Sequence, residues 1–186
     1  MDRGIWAAWY DLPDEGKEEY LAWLHEVHIP EALARPGYLW AAHVENGIWE
    51  KRESDLKNRL TYTDDTAVPA GNAYLMLYGA VSPHTFFDPS PSEMAENQTA
   101  NTREMLGRRN GERSCIFTEE ARVDGPEVAT RAPGLTPGPI IQMGSFNSNK
   151  PANEEELGIW YAQWRLPSEG RMTGCVGARK LVSAAV

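Results

Sequence analysis

The chain has 186 residues and a formal net charge of −9 at pH 7. This acidic balance argues against nucleic acid and anionic membrane surfaces as partners, and no apolar run approaches the roughly 20 residues that span a bilayer. No secretory signal is visible, and Cys115 and Cys175 lie far apart, outside any CxxC pattern. We therefore expect a cytoplasmic protein with two reduced thiols.

The first 124 residues predict six elements in the order β-α-β-β-α-β. Apolar or alternating stretches indicate the strands, and apolar residues at helical spacing with early acidic residues indicate the helices. The expected strands are residues 4–10, 37–45, 73–81 and 112–123, and the expected helices are 15–34 and 92–109. Pro30 should end or kink the first helix. The polar stretch 46–72 should contain a short helix at 49–57.

The C-terminal part predicts a shorter set of elements. Residues 125–139 are rich in proline and glycine, which is typical of a linker. After the linker we expect a strand at 140–146, a helix at 153–169 and a strand at 174–186. The predicted organisation is therefore a complete unit at 1–124, a linker, and a partial second unit at 140–186.

An internal repeat connects the two units. Residues 18–45 align without a gap with residues 155–182. The identical pairs are Glu18 and Glu155, Glu19 and Glu156, Trp23 and Trp160, Pro30 and Pro167, Gly37 and Gly174, and Ala41 and Ala178. A helix that reaches a proline, followed by a glycine and a strand, thus occurs twice. This indicates duplication of one supersecondary unit.

The element order and the repeat together resemble a known superfamily. The order β-α-β-β-α-β is ferredoxin-like, and its repetition resembles the dimeric α/β-barrel superfamily. The segment WLHEVHIP at 23–30, followed by Pro36, Gly37 and Tyr38, resembles the EthD-like branch. The resemblance implies an α+β fold in which a ferredoxin-like βαββαβ unit precedes a partial βαβ copy. It also implies a small cofactor-free cyclase, isomerase, decarboxylase or monooxygenase, although the branch includes members without known activity.

The second unit is incomplete, because it lacks a counterpart of the last three elements of the first. A half unit exposes strand edges, which are a liability unless they are paired. The chain therefore dimerises and pairs these edges across subunits, or its C-terminal piece packs beside the first unit, or the sequence is truncated. We expect a homodimer.

Three residues are candidate catalytic groups: His28, His43 and Tyr78. His28 shares a helix face with Leu21 and Leu24, so it should point toward the helix–sheet interface, where a neutral imidazole acts as acid or base near pH 7. His43 should lie on the face of the second strand that carries Leu39 and Ala41, opposite the face of Tyr38 and Trp40. The Tyr78 hydroxyl is suited to polarising a carbonyl.

Four further residues are candidates for substrate binding: His25, Tyr74, His84 and Phe86. His25 lies one helical turn before His28, and the repeat replaces these two histidines by Ala162 and Arg165. This contrast marks them as functional candidates, because the repeated architecture does not require them. Tyr74 should share a strand face with Tyr78. His84 and Phe86 lie in the following loop, where binding residues are common.

Metal chemistry has little support in the sequence. His25, Glu26, His28 and Glu31 do not follow a zinc spacing, and neighbouring helix positions face different ways. An axial histidine for haem has no second supporting feature. We therefore expect no metal and no cofactor. The predicted function is acid–base chemistry on a small apolar or aromatic molecule with a carbonyl or phenol, and the alternative is a non-catalytic binding or assembly protein.

Overall fold

The computed structural model describes residues 2–47, 65–130, 137–145 and 150–185, and the fold is α+β. The strands are β1 (Gly4–Asp11), β2 (Tyr38–Glu45), β3 (Tyr74–Ala80), β4 (Asn110–Asp124) and β5 (Gly177–Ala185). Helix α1 consists of Lys17–Trp23, a π-helical turn Leu24–His28, and Ile29–Leu33. Helices α2 (Pro91–Glu96) and α3 (Ala100–Leu106) follow β3. Helix α4 consists of Pro151–Trp160, a π-helical turn Tyr161–Arg165, and Leu166–Glu169.

The five strands form one antiparallel sheet in the order β2-β3-β1-β4-β5. Strand β3 pairs with both β1 and β2, so it lies between the two strands that α1 connects. Strand β5 pairs with β4 from Gly177 to Ala185. The C-terminal strand therefore extends the sheet that the first 124 residues build.

The helix before β2 and the helix before β5 share one irregularity. Each contains a π-helical turn, Leu24–His28 in α1 and Tyr161–Arg165 in α4, and the N–H that follows each turn bonds to a carbonyl five residues back. A proline stands two residues after each turn. Proline lacks an N–H and collides with the carbonyl four residues before it, and the wider turn relieves this collision. Pro30 therefore lies within a continuing helix, and the turn recurs at equivalent positions of the sequence repeat.

Two predicted elements differ from the structure. The expected helix 92–109 is two helices, because Ser90 forms a capping box with Glu93 and Thr99 caps a second helix by accepting the N–H of Thr102. The expected strand 140–146 is wrong for the described residues 140–145, which pair with no strand. Ile141 and Met143 pack instead on the sheet as a loop. The expected helix at 49–57 lies outside the described residues.

A bulge in β2 changes which side chains share a face. Tyr38 pairs with Ala80, and Trp40 pairs with the next residue of β3, Gly79, so Leu39 is an extra residue. Strict alternation from His43 predicts Tyr38 on the opposite face, and this prediction is wrong. The bulge moves Tyr38 onto the face of His43, where it packs under α1.

The sheet separates two apolar clusters. The cluster on the helix side contains side chains of α1, α3, the sheet and the short 3-10 helix Pro83–Phe86: Ala8, Tyr10, Tyr20, Trp23, Leu24, Ala32, Tyr74, Met76, Tyr78, Ala80, Phe86, Met105 and Ile116. The cluster on the other side is centred on Ile5, Ala7, Trp40, Leu75 and Leu77. Cys115 and Cys175 are both free thiols. No helix in the described part of the chain has the length and apolar character needed to cross a membrane.

An ion-pair network connects the N-terminus to β4 and β5. The Asp2 carboxylate accepts hydrogen bonds from Arg122 at 2.8 Å, from Arg179 at 2.7 Å, and from the Trp40 indole at 2.8 Å. Glu119 also pairs with Arg122. Because Asp2 and Glu119 are buried, the network supplies the charge partners that buried carboxylates require.

Candidate functional site

The polar residues of the site lie on the helix side of the sheet and form two neighbouring groups at α1 and beneath it. The first group, at the end of the sheet where β1 and β2 finish, contains Tyr10, His43 and His25. The second group, toward the start of β2, contains Tyr78 and Tyr38. Both groups lie among the aromatic side chains of the helix-side cluster.

The first group is a continuous chain of hydrogen bonds. The Tyr10 hydroxyl lies 2.9 Å from His43 Nε2, and His43 Nδ1 lies 3.0 Å from His25 Nε2. The three residues come from β1, β2 and α1, so the chain depends on the tertiary fold. The His43 ring lies nearly parallel to the rings of Tyr10 and Tyr74, with ring centroids 6.1 Å and 5.3 Å away. This stacking fixes the plane of the imidazole.

Both half-buried histidines of the site are held neutral. Burial lowers the pKa of His43 to about 4, with contributions from the nearby His25 and Arg109. Burial lowers the pKa of His28 to about 4 as well, and the charges of Arg109 and Arg35 add to the effect. Near neutral pH each ring therefore offers an unprotonated nitrogen, which is the form that accepts a proton.

Arg109 is the buried cation of the site. Its Nε donates to the Tyr20 hydroxyl at 2.7 Å, and its guanidinium lies 4.3 Å from the centre of the Tyr10 ring. Its Nη1 pairs with Glu112 at 2.7 Å. Arginine only donates hydrogen bonds, so Arg109 orients the phenols around it.

Tyr78 carries an unusual polar atom. Within the described residues its hydroxyl is the one fully buried side-chain nitrogen or oxygen atom without a hydrogen-bond partner. The ring packs between Trp6 and Tyr38, with centroids 5.6 Å and 5.9 Å away. Burial raises the pKa of this hydroxyl, so it stays protonated and available as a donor.

His28 is half-buried at the end of the π-helical turn of α1. Its ring stacks on Trp23 at 4.8 Å between centroids. Arg35 and Arg109 act electrostatically on both His28 and Tyr78. No hydrogen bond from the His28 ring reaches another described side chain, whereas both nitrogens of His43 are engaged.

The remaining predicted site residues are spread over the helix side. Tyr74 is buried beside His43 and stacks on Tyr10. Phe86 is fully buried and contacts Trp6 and Tyr38. His84 is exposed and packs on Phe87. Its loop follows the Ala80 end of β3, whereas His43 pairs with Met76 near the other end.

The sequence analysis did not identify three residues of the site: Tyr10, Tyr38 and Arg109. Tyr10 ends an apolar strand and gives no local sign of its contact with His43. Arg109 fits the expected basic end of a helix, yet its side chain is buried, with 7% exposed. A hint was available for Tyr10, because a tyrosine at the end of a buried strand needs a hydrogen-bond partner for its hydroxyl.

Comparisons with known proteins identify no relative of this chain. No family model, no curated protein and no solved structure matches the chain. In the described ranges no group of three or more His, Cys, Asp or Glu side chains is arranged to hold a metal ion. The described side chains of the site supply imidazole, phenol and guanidinium groups.

Proposed function

We propose that the protein is a small cofactor-free enzyme, related to the EthD-like branch of the dimeric α/β-barrel superfamily. It transfers protons on a small apolar molecule that carries a carbonyl or phenol. The β2-β3-β1-β4 order of the first four strands, with α1 between β1 and β2 and two short helices before β4, supports a ferredoxin-like unit. The recurring π-helical turn supports a partial second copy.

The buried hydroxyl of Tyr78 carries this proposal. A buried hydroxyl without a partner destabilises a folded protein by about 1–3 kcal/mol. A ligand whose oxygen accepts this hydrogen bond removes the penalty, and it meets an aromatic lining of Trp6, Tyr38 and Phe86. Such a donor stabilises the negative charge that develops on a carbonyl oxygen when a proton leaves the neighbouring carbon.

His28 is the proposed acid–base group. Its neutral imidazole is half-buried, and its ring nitrogens are not committed to a described side chain. The pKa of His43 is equally low, but both of its ring nitrogens are hydrogen-bonded, to Tyr10 and to His25. We therefore assign His43 a supporting role. Arg35 and Arg109 add positive charge near the developing anion.

Proton exchange on a simple ketone tests the proposal. In D2O we expect the protein to accelerate loss of the C2 hydrogens of α-tetralone, followed by proton NMR. His28→Gln should reduce this acceleration by about 10²-fold or more, because a positioned acid–base group contributes that much. Tyr78→Phe should reduce it by about 10-fold or more through loss of one hydrogen bond to a charged oxygen.

Tyr161→Phe is the matched control, because it removes a phenol hydroxyl from α4 and should leave the exchange rate unchanged. Equal rates with and without protein contradict the enzymatic proposal. If α-tetralone binds in a Tyr78-dependent way without exchange, the second candidate, a non-catalytic binding protein, is correct instead. The unpartnered Tyr78 hydroxyl favours both candidates over a purely structural role.

We also propose that the protein acts as a homodimer. Trp160 and Trp164 of α4 are 46% and 65% exposed, whereas Trp23, the counterpart of Trp160 in the repeat, is 7% exposed. In the first copy the sheet covers the face of α1 that carries Trp23. A second copy of the chain supplies the missing cover, and β5 is an edge of the described sheet to which a partner strand adds.

A further inference from the structure

The hydrogen-bonded chain beneath α1 crosses from the interior to the surface. Tyr10 is fully buried, His43 is half-buried and His25 is exposed. Two hydrogen bonds of 2.9 Å and 3.0 Å join the three groups. We propose that Tyr10, His43 and His25 form a path that moves protons between the interior beneath α1 and the solvent.

Burial sets the direction of the hydrogen bonds, because it raises the pKa of the Tyr10 hydroxyl, which therefore keeps its proton. The buried Tyr10 proton then needs an acceptor, and His43 Nε2 at 2.9 Å provides it. His43 therefore carries its proton on Nδ1 and donates it to His25 Nε2.

One proton moves outward along this path in three steps, and each proton that leaves one group is accepted by the next. The Tyr10 O–H proton moves to His43 Nε2, the His43 Nδ1 proton moves to His25 Nε2, and the His25 Nδ1 proton moves to water. A proton released in the interior then replaces the one that Tyr10 lost. The reverse sequence brings a proton inward, and neither direction requires an oxidant or a reductant.

The repeat indicates that the fold does not need this path. Ala162 occupies the position of His25 in the second copy, and Lys180 occupies that of His43. Lys180 pairs with Glu120 in β4. The second copy keeps the helix, the π-helical turn and the strand without these histidines, so a role in architecture does not explain them.

The path deepens the proposed function, since proton transfer in the interior beneath α1 needs an outlet to solvent, but it is measurable without any substrate. The ring nitrogens of the folded wild-type protein report the tautomers in nitrogen-15 NMR at neutral pH. We expect His43 and His25 both to carry the proton on Nδ1. If His43 instead carries its proton on Nε2, it donates to the Tyr10 hydroxyl rather than accepting from it. That result would overturn the proposal.

Exchange with solvent tests the role of His25 as the outlet. In His25→Phe we expect the His43 Nδ1 proton to exchange with water about 10²-fold more slowly. Added imidazole should restore the rate in proportion to its concentration, an effect that a merely structural role of His25 does not produce. Glu26→Phe is the control, because it places the same ring at the next exposed position of α1 and should leave the exchange unchanged.

Unchanged exchange in His25→Phe, or slow exchange that imidazole does not restore, would overturn the path. The proposed function fails separately, through the absence of α-tetralone exchange in the wild-type protein. If the tautomers and the imidazole rescue are as expected but the protein does not exchange the hydrogens of α-tetralone, the proton path is supported and the enzymatic assignment is wrong.

Discussion

Replacing Asp2 by alanine should reduce the free energy of unfolding by about 3–5 kcal/mol, the range found when one partner of a buried ion pair is removed. The Asp2 carboxylate pairs with Arg122 and Arg179, whose side chains are 23% and 18% exposed. Without it, both guanidinium groups lose a carboxylate partner, and the Trp40 indole loses its acceptor. Urea unfolding at pH 7 measures the change.

Asp14→Ala is the control for this experiment. Asp14 also forms an ion pair, with Lys17 at 2.8 Å, but its side chain is fully exposed, so its loss should change stability far less. Burial raises the pKa of Asp2, but hydrogen bonds from Arg122, Arg179 and Trp40 outweigh burial and lower it to about 2. The stabilisation should therefore persist down to about pH 4 and disappear as the pH falls through about 2. An Asp2→Ala variant as stable as Asp14→Ala would contradict this account.

The second large effect concerns pH. We expect the free energy of unfolding to fall by about 2 kcal/mol for each of His28 and His43 between pH 7 and pH 5. The pKa of each is lowered from 6.5 to about 4 in the folded protein. Between these values the unfolded chain binds protons that the folded chain does not, so stability decreases as the pH falls from 6.5 and levels off below about 4.

The charged groups that face these imidazoles produce the effect together with burial. His28 faces Arg35 and Arg109, and His43 faces His25 and Arg109. His28→Gln should remove about half of the pH dependence in urea unfolding measured at pH 7 and pH 5. His84→Gln changes an exposed histidine and should leave the dependence intact. A wild-type protein equally stable at both pH values would show that these imidazoles are not buried in neutral form.

Regular elements were predictable because local patterns determine them. The buried strand at 4–10, the helix at 15–34 and the strands at 37–45 and 73–81 all occur within one or two residues of the expected bounds. The apolar segment 140–145 was misassigned because apolar character predicts burial and not strand pairing. Its side chains Ile141 and Met143 are packed on the sheet, and that contact does not require a ladder.

The site was predictable only in part, because its contacts join distant elements. The sequence placed His28 toward the helix–sheet interface and Tyr74 with Tyr78 on one face, and both placements agree with the structure. The Leu39 bulge reversed the face expected for Tyr38, since alternation assumes an unbroken strand. No local pattern joins Tyr10 to His43, which lies 33 residues away. The sequence-based assignment of roles to these residues stays a prediction.

The stability of Tyr78→Phe tests the central claim most directly. If the Tyr78 hydroxyl is buried without a partner and kept for a ligand, its removal should increase the free energy of unfolding by about 1 kcal/mol in the ligand-free protein. Urea unfolding at pH 7 measures this change beside wild type. A Tyr78→Phe variant less stable than wild type by a similar amount would contradict the claim, because the hydroxyl would then hold the fold together.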